Sequence, residues 1–422
     1  MSNIRATIID LSGARARAGQ LAGPRANFEV SDGFAPPLRV AIRKTDAGFL
    51  TWAGEEAEPL VEDAQTLVFD ELNVHLPRID DSELREQLLT AVWSKVCERL
   101  ADNGLLHRPG QSAAYVIPRA GWPPALLEHF REVCARDGRL RLIGFPDEAA
   151  ALVVGLMQAD MVRRVLSSPP ASGSATYCLA VAAEDTQAIV CCFDYASDGR
   201  REHRVVLRDF FRTKYRALAD DLKSREWSSD VSGLLVFESP ELATPACTAL
   251  EATLRGVRTE VTRPPLPPAQ IQNLKLVGGA YIAQCSMALG EPADHFVVEA
   301  AYHIGVQTSQ RRFHPILTRS QMTQATQYPL VAEQRFRLKG RPGSEMRVNV
   351  YCGYSPRVAE ATYLGHFTLS QVELARLGSD REAAIAASVT MDSPGSAEVA
   401  LHLLPDNRRI ASRQWLLPAL MD

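Results

Sequence analysis

The sequence lacks the marks of several large classes of protein. Its 422 residues include eight cysteines but no C-x-x-C pair, so neither a zinc signature nor a dense disulfide framework is indicated. No stretch approaches the ~20 apolar residues that a bilayer-spanning helix needs, and the amino-terminal segment does not read as a signal peptide. A net charge of -4 excludes a strongly basic field. We therefore expect a cytoplasmic protein with free thiols and with no nucleic-acid or membrane partner.

Common catalytic motifs are also missing. There is no G-x-S-x-G elbow, no H-E-x-x-H pair, no Walker lysine loop and no dinucleotide G-x-G-x-x-G. The nine histidines are scattered, and His303 and His314 lie in predicted strands without ligand partners at metal-binding spacing. Hydrolase, metalloprotease and dehydrogenase classes therefore find no support in the sequence.

The pattern that is present is α/β, and it is long enough for two or more domains. Hydrophobic residues make up 46% of the chain and charged residues 23%, a normal soluble mixture. Short apolar runs predict strands at residues 6–11, 66–69, 113–118, 139–143, 176–183 and 188–195. Three- and four-residue spacing predicts helices at 82–100, 124–136 and 147–165, with Ser82 as a plausible N-cap.

A connector rich in serine and proline divides the α/β region at residues 167–174. Each side of it opens with an apolar strand and a turn. Residues 274–279 are predicted as a strand that runs into the glycine pair Gly278 and Gly279, and residues 296–301 as a helix. Beyond Tyr302, alternating strands dominate to about residue 404. These strands include residues 304–308, 315–319, 348–353 and 363–369.

In this order, the segments resemble the seventy-kilodalton heat-shock chaperones (the heat shock protein 70 family). Residues 8–13 are similar to the family's first phosphate loop, 149–156 to its alanine-rich connecting helix, 178–186 to its second phosphate loop and 276–279 to its adenosine loop. Segments 66–70 and 116–120 resemble further signposts of the first lobe, and the four strands named above follow the strands of the family's β-domain.

The resemblance implies a two-lobed, actin-like ATPase fold followed by an all-β sandwich. The nucleotide-binding domain would cover residues 1–301, with lobe I at about 1–166 and lobe II at about 175–301. The sandwich, a domain like the family's substrate-binding domain, would cover residues 302–422. A generic β-sandwich is the alternative for this second part.

The resemblance also implies a site for ATP or ADP with magnesium. By position, its residues would be Asp10, Ser12, Gly13, Asp185, Thr186, Gly278 and Gly279, with Asp10 as the magnesium-side carboxylate. A plain strand-to-helix turn is the alternative explanation of the glycine pair. Arg15 and Arg17 would either contact a phosphate or, more simply, be charged side chains on the solvated surface.

Several positions depart from the family's ATPase pattern. Ala180 stands at an aspartate position, and Ala182, Ala183 and Glu184 replace a glycine run. The added Cβ atoms crowd the approach of a phosphate, and the Glu184 carboxylate repels it. The family's glutamate before the connecting helix is missing. Two explanations are open for the nearby Glu148: a shifted loop brings its carboxylate to the position of the family's glutamate, or Glu148 is a carboxylate that favours the N-terminus of a helix. We expect a pseudo-ATPase and assign no catalytic residue.

Carried over by position, a peptide groove in the β-domain would be lined by Val306, Thr308, Ser309, Met346 and Val348. Ordinary core packing is the alternative for these residues. The family's interdomain linker and helical lid have no counterpart in the sequence, so we expect no nucleotide-driven cycle. The apolar residues 415–418 are expected to pack back on the sandwich or on another protein.

The expected function is that of a chaperone-like protein that binds a polypeptide client or a partner protein, which includes another chaperone. The alternative is a divergent ATP-dependent chaperone with weak ATPase activity, in which Asp10, Asp185 and Glu148 supply the magnesium-side chemistry. A third hypothesis is an actin-like subunit of a filament.

Overall fold

The structure is a computed structural model of the chain. It describes residues 6–22, 27–46, 48–106, 113–159, 162, 175–184, 187–197, 202–214, 217–225, 233–237, 261–262, 266–287, 295–300, 302–308, 312–318, 321–322, 329–338, 346–354, 358, 361–370, 383–393, 396–404 and 407–416. The predicted connector at residues 167–174 lies outside this set, as do Asp185, Thr186 and Ser309. Within the described residues, no helix combines the length and the apolar character needed to cross a membrane.

Two compact units divide the chain between Glu299 and Ala300. The first unit contains all of the helices that are described below, and the second, Ala300–Ala419, is built from strands. The division falls close to the domain boundary that the sequence predicts at residue 301.

A five-stranded sheet opens the first unit, in the order β3-β2-β1-β7-β8. β1 lies at its centre, and every residue of β1 is buried because sheet neighbours and helices cover it. Its strands are β1 Ala6–Asp10, β2 Arg17–Ala22, β3 Asn27–Val30, β7 Ala113–Ile117 and β8 Arg141–Gly144. Between β3 and β7 a small sheet in the order β5-β4-β6 is formed by β4 Val40–Thr45, β5 Gly48–Ala53 and β6 Leu67–Phe69.

Helices cover the first sheet and close its core. They are α1 Leu72–His75, α2 Ser82–Asp102, α3 Pro124–Asp137 and α4 Glu148–Met157, with 3-10 turns at Gly54–Leu60 and Leu76–Arg78. Trp93 of α2 and Phe130 of α3 are fully buried, and their rings meet edge to face at 5.3 Å. Asp81, not the predicted Ser82, caps α2, because its carboxylate accepts the Glu83 and Leu84 N–H groups at 3.0 and 3.1 Å.

A second, six-stranded sheet follows in the order β13-β12-β9-β10-β11-β14. Its strands are β9 Ala175–Glu184, β10 Gln187–Ser197, β11 Glu202–Lys214, β12 Gly233–Phe237, β13 Val261–Thr262 and β14 His295–Ala300. The predicted hairpin of β9 and β10 is confirmed. Among the described residues of this half, three helices are found: α5 Leu218–Lys223, α6 Pro268–Gln272 and α7 Leu274–Ser286.

The two sheets share one topology. β1 pairs with β2 antiparallel and with β7 parallel, and β7 pairs with β8 parallel. In the second sheet, β9 pairs with β10 antiparallel and with β12 parallel, and β12 pairs with β13 parallel. The next strand, β3 or β11, pairs antiparallel with β2 or β10. The second half of the unit thus repeats the strand order of the first and adds β14.

Two predictions in the stretch 274–301 are wrong. Residues 274–279 were expected to form a strand, but they open helix α7; residues 296–301 were expected to form a helix, but β14 runs there. Gly278 and Gly279 therefore lie inside a helix. A short apolar run fits a buried helix as well as a buried strand, and the neighbouring elements decide between them.

The second unit consists of two four-stranded sheets, β16-β15-β18-β19 and β17-β20-β21-β22. The strands are β15 His303–Gln307, β16 Phe313–Leu317, β17 Leu330–Leu338, β18 Met346–Gly353, β19 Thr362–Leu369, β20 Ala383–Ser393, β21 Ser396–Leu403 and β22 Arg408–Leu416. All pairs whose register is described are antiparallel. The four strands predicted in this region are confirmed, and strands continue to residue 416.

Candidate functional site

The carboxyl end of β1 carries the first residues of the candidate site. Asp10 is the last residue of this central strand and is 3% exposed. Its Oδ1 atom accepts the Ser12 backbone N–H at 2.9 Å and the Ser12 hydroxyl at 2.6 Å. These two hydrogen bonds hold the turn after β1 in one conformation, as the aspartate side chain does in an Asx turn.

Asn73 of α1 fixes the same turn from the other side. Its Nδ2 atom donates to the carbonyl oxygens of Leu11 and Gly13, each at 2.8 Å. The Trp122 indole N–H in turn donates to the Asn73 carbonyl at 2.9 Å. The loop at the predicted first phosphate position is therefore bonded to the protein through its carbonyl groups.

Glu148 brings a second carboxylate to Asp10. It is the first residue of α4 and is 1% exposed, and its Oε2 atom accepts the Ala120 backbone N–H at 2.9 Å. Its neighbour Asp147 is the N-cap of α4 and accepts the Ala150 N–H at 3.0 Å. Glu148 is thus a helix N-terminal carboxylate, as one of the two explanations has it, and it also lies in the site.

Two cations from the second half of the unit complete the site. Arg212 of β11 forms an ion pair with Glu148 and donates to the Ser12 carbonyl at 3.1 Å. Lys275 of α7 lies with its Nζ atom 3.3 Å from Asp10 Oδ2 and 3.3 Å from Glu148 Oε1, and it donates to the Ser12 hydroxyl. We call Asp10, Ser12, Glu148, Arg212 and Lys275 the buried charge cluster.

The charges of the buried charge cluster balance, because two carboxylates meet one ammonium and one guanidinium. Burial on its own raises the pKa of Glu148, but Arg212, Lys275, the Ala120 N–H and Arg119 outweigh it, so that the pKa lies below its ordinary value. Glu148 is therefore ionised at neutral pH. Buried ions are tolerated when each is paired and hydrogen-bonded in this way.

The glycine pair of α7 does not form an open loop. A Cβ on Gly278 would lie 1.8 Å from the Ala151 carbonyl oxygen of α4, and one on Gly155 would lie 1.8 Å from the Leu274 carbonyl oxygen. Gly279 faces the Ile8 and Ile117 side chains. These glycines let α4 and α7 cross at backbone contact, and the faces that would approach a nucleotide are filled by protein.

Both carboxylate oxygens of Asp10 already have partners in this arrangement. Asp10 Oδ1 is held by Ser12, and Oδ2 faces the Lys275 ammonium, which repels a metal ion. Throughout the described residues, no group of three or more His, Cys, Asp and Glu side chains is placed to hold a metal. Arg15 donates to the Ala35 carbonyl and Arg17 to the Gln272 side chain, both at exposed positions.

The predicted peptide-groove residues of the second unit lie on an inner sheet face. Val306 is directly opposite His314, and Val348 is opposite Phe367, so each pair shares a face. His314 and Phe367 contact aromatic rings of the second sheet. Val306 and Val348 are 3% and 6% exposed. Their burial fits core packing, the alternative that the sequence leaves open.

The other predicted groove residues are less enclosed. Met346 is half-buried at the start of β18. Thr308 is half-buried too, and its N–H and hydroxyl donate to the Arg312 carbonyl at 2.8 and 3.2 Å. The outer face of the same sheet carries polar contacts, since Asn349 and Tyr351 both donate to Gln307 Oε1.

Sequence reasoning missed Lys275 and Arg212. One signal was available for Lys275, which is the only charged residue in the apolar run 274–283. A lone lysine among apolar residues indicates a buried charge with a partner. Arg212 has no comparable signal, because charged residues are common along β11.

No protein-family model matches this sequence, and no curated protein matches it. Function therefore has to be inferred from the residues and geometry of the chain itself.

Proposed function

We propose that the chain is a non-cycling, chaperone-like protein that binds polypeptides in the cytoplasm, built on the scaffold of the heat shock protein 70 family. Its first unit would be a pseudo-ATPase of actin-like fold, with little or no ATP hydrolysis. Its second unit would be a β-sandwich that holds a polypeptide client or a partner protein.

The repeated strand order supports the scaffold. An actin-like fold consists of two lobes of similar α/β construction, and the two sheets of the first unit have the same order and the same strand directions. The paired four-stranded sheets of the second unit suit a β-sandwich, because aromatic contacts join them at Phe367–Trp415 and His314–Phe336.

The observation that carries the pseudo-ATPase proposal is the state of Asp10 and Glu148. Phosphoryl transfer depends on carboxylates that hold magnesium and on backbone donors that reach the phosphates. Here Lys275 and Arg212 neutralise both carboxylates. The backbone N–H groups of Leu11 and Ser12 in the first loop donate to the Ile117 carbonyl and to Asp10 Oδ1 instead, each at 2.9 Å.

Calorimetric titration with Mg-ATP and with Mg-ADP tests this proposal. We expect no saturable heat with either nucleotide. Binding with an affinity better than ~10 μM, about -7 kcal/mol, would contradict it. A chain carrying Asp10→Asn serves as the control for heat that arises away from the site.

Polypeptide binding is tested separately with fluorescently labelled extended peptides that contain leucine-like side chains. We expect saturable binding whose affinity is the same with and without Mg-ATP. Failure of every peptide to bind would remove the chaperone part of the proposal, and an affinity that depends on nucleotide would show coupling between the units.

A divergent ATP-dependent chaperone is the second candidate, and one observation favours it. The Glu148 carboxylate lies near Asp10, as a shifted loop would require, because both carboxylates are 3.3 Å from the Lys275 ammonium. Steady ATP turnover that disappears in Asp10→Ala would establish this candidate in place of the first.

A further inference from the structure

The Lys275 ammonium lies among oxygen atoms of three residues, Ser12, Asp10 and Glu148. Nζ is 3.3 Å from Asp10 Oδ2, 3.3 Å from Glu148 Oε1, and within hydrogen-bond distance of the Ser12 hydroxyl. An ammonium group has three donors and no acceptor; this one donates to the Ser12 hydroxyl and to Glu148 Oε1, and it forms an ion pair with Asp10 Oδ2. A cation with oxygen ligands from separate segments of the chain is the arrangement of a metal site.

We propose that Lys275 is a tethered cation that takes the place of a metal ion between Asp10 and Glu148. It holds the two halves of the first unit together without any bound metal or nucleotide. This inference goes beyond the proposed function, because it concerns how the unit keeps its structure when it binds nothing.

The placement of Lys275 is built into the backbone. It follows Leu274, whose carbonyl oxygen would be 1.8 Å from a Cβ on Gly155 of α4. One turn later Gly278 makes the reciprocal contact with Ala151. Since α4 and α7 are in backbone contact on both sides of it, the start of the lysine side chain has little freedom to move.

The ion pairs of Lys275 and Arg212 link the two halves of the first unit. Asp10 ends the central strand of the first sheet, and Glu148 begins the helix that follows that sheet. Lys275 and Arg212 come from α7 and from β11 of the second sheet. Each cation therefore joins a carboxylate of the first half to an element of the second.

Thermal melting of the full chain with and without magnesium tests the inference. Lys275→Ala leaves two buried carboxylates and a hydroxyl facing each other, and we expect it to melt roughly 5–10 °C lower than the wild type. Millimolar MgCl2, at an ionic strength balanced with NaCl, should restore part of that loss by occupying the vacated position. The wild type should not respond to magnesium.

Lys95→Met is the control: Lys95 also pairs with two carboxylates, but those of Glu56 and Glu98 are exposed, and methionine keeps most of the lysine's packing. It should change the melting temperature little and show no magnesium response. The inference is overturned if Lys275→Ala melts like the wild type, or if magnesium stabilises the wild type as much as the variant.

A double variant covers the case in which Lys275→Ala does not fold. Asp10→Asn with Lys275→Met removes the cation and one of its anions while keeping similar shapes, so we expect it to fold and to ignore magnesium. A double variant that is as unstable as Lys275→Met alone would show that Lys275 acts through packing, and would overturn the inference. No nucleotide or peptide is used, so the outcome is independent of the proposed function.

Discussion

At the scale of single residues, the buried charge cluster shows how ions are kept inside a protein. The Glu148 carboxylate accepts a hydrogen bond from the Ala120 N–H and forms ion pairs with Arg212 and Lys275. The Asp10 carboxylate accepts hydrogen bonds from the N–H and the hydroxyl of Ser12 and forms an ion pair with Lys275. Removing one member leaves the others buried without full compensation, which typically costs about 3–5 kcal/mol. The cluster therefore behaves as one unit under mutation.

Glu148→Gln should reveal this in the pH dependence of stability. The pKa of Glu148 is depressed in the folded state, so its ion pairs stabilise the fold above the ordinary value of 4.5 and are lost as pH falls through the folded-state value. At pH 7 we expect the variant to lose about 3–5 kcal/mol of unfolding free energy. Urea unfolding from pH 7 down to about pH 3 should show a shallower decline for the variant than for the wild type.

Glu86→Gln is the control for that experiment. Glu86 also has a lowered pKa, owing to its hydrogen bond and ion pair with Arg136, but it is a surface group. Solvent screening leaves such a pair with little effect on stability. If Glu148→Gln follows the wild-type curve as closely as Glu86→Gln does, Glu148 is not held as a buried ion.

The cap of α2 allows a second test of one residue. Asp81→Ala removes the acceptor of two backbone N–H groups and should destabilise the chain by about 1 kcal/mol. Ser82→Ala, at the position that the sequence indicates, should have almost no effect. Equilibrium unfolding of both variants compares them directly, and equal losses would mean that Ser82 shares the cap.

At the scale of elements, the crossing of α4 and α7 positions the site. Gly155 and Gly278 bring the two helices to backbone contact, and this contact holds Lys275 and Glu148 near each other. Glycine is a poor helix former, by about 1 kcal/mol relative to alanine. The close approach of the two backbones offsets that loss through packing.

Gly278→Ala should therefore destabilise the chain although alanine favours helices. The new Cβ would meet the Ala151 carbonyl 1.8 Å away, and such overpacking against backbone costs about 1–3 kcal/mol or more. Gly104→Ala is the matched control, because Gly104 has a φ of +69° with nothing within 4 Å, so only backbone strain of about 1 kcal/mol is expected. Thermal melting of both variants separates the two effects, and a neutral Gly278→Ala would contradict the crossing.

The same helix shows where sequence reasoning stops. Residues 274–279 were predicted as a strand with a glycine loop because a short apolar run is compatible with either element. Steric fit between α4 and α7, which lie more than a hundred residues apart, makes this segment helical. By contrast, the long amphipathic helix α2 and the hairpin of β9 and β10 carry local patterns, and their prediction is confirmed.

At the scale of the whole molecule, the chain forms two units with separate cores. Trp93 and Phe130 lie in the core of the first unit. In the second unit, the Trp415 ring packs edge to face on Phe367 at 5.1 Å, and a Cβ on Gly365 would be 2.9 Å from its Nε1 atom. Trp415 therefore packs on the second unit, which is one of the two outcomes that the sequence leaves open for residues 415–418; residues 417 and 418 lie outside the described residues.

Trp415→Ala should destabilise the second unit alone. Loss of a buried tryptophan typically costs about 3–5 kcal/mol, and each compact unit is expected to unfold around its own core. Differential scanning calorimetry should show one transition shifted down and one unchanged. Trp52→Ala, at a half-buried position of the first unit, should leave the Trp415-dependent transition where it is. A shift of both transitions by Trp415→Ala would mean that the units unfold together.

The sequence by itself determined much of the alternation of elements, the change to strands after residue 302 and the presence of Asp10 in the first strand. These features depend on local periodicity and on turns, which act over a few residues. Only the tertiary structure decided that residues 274–286 are a helix and that Lys275 and Arg212 join Asp10 and Glu148. The reason is physical: burial and ion pairing depend on which distant segments meet, and no local pattern specifies those encounters.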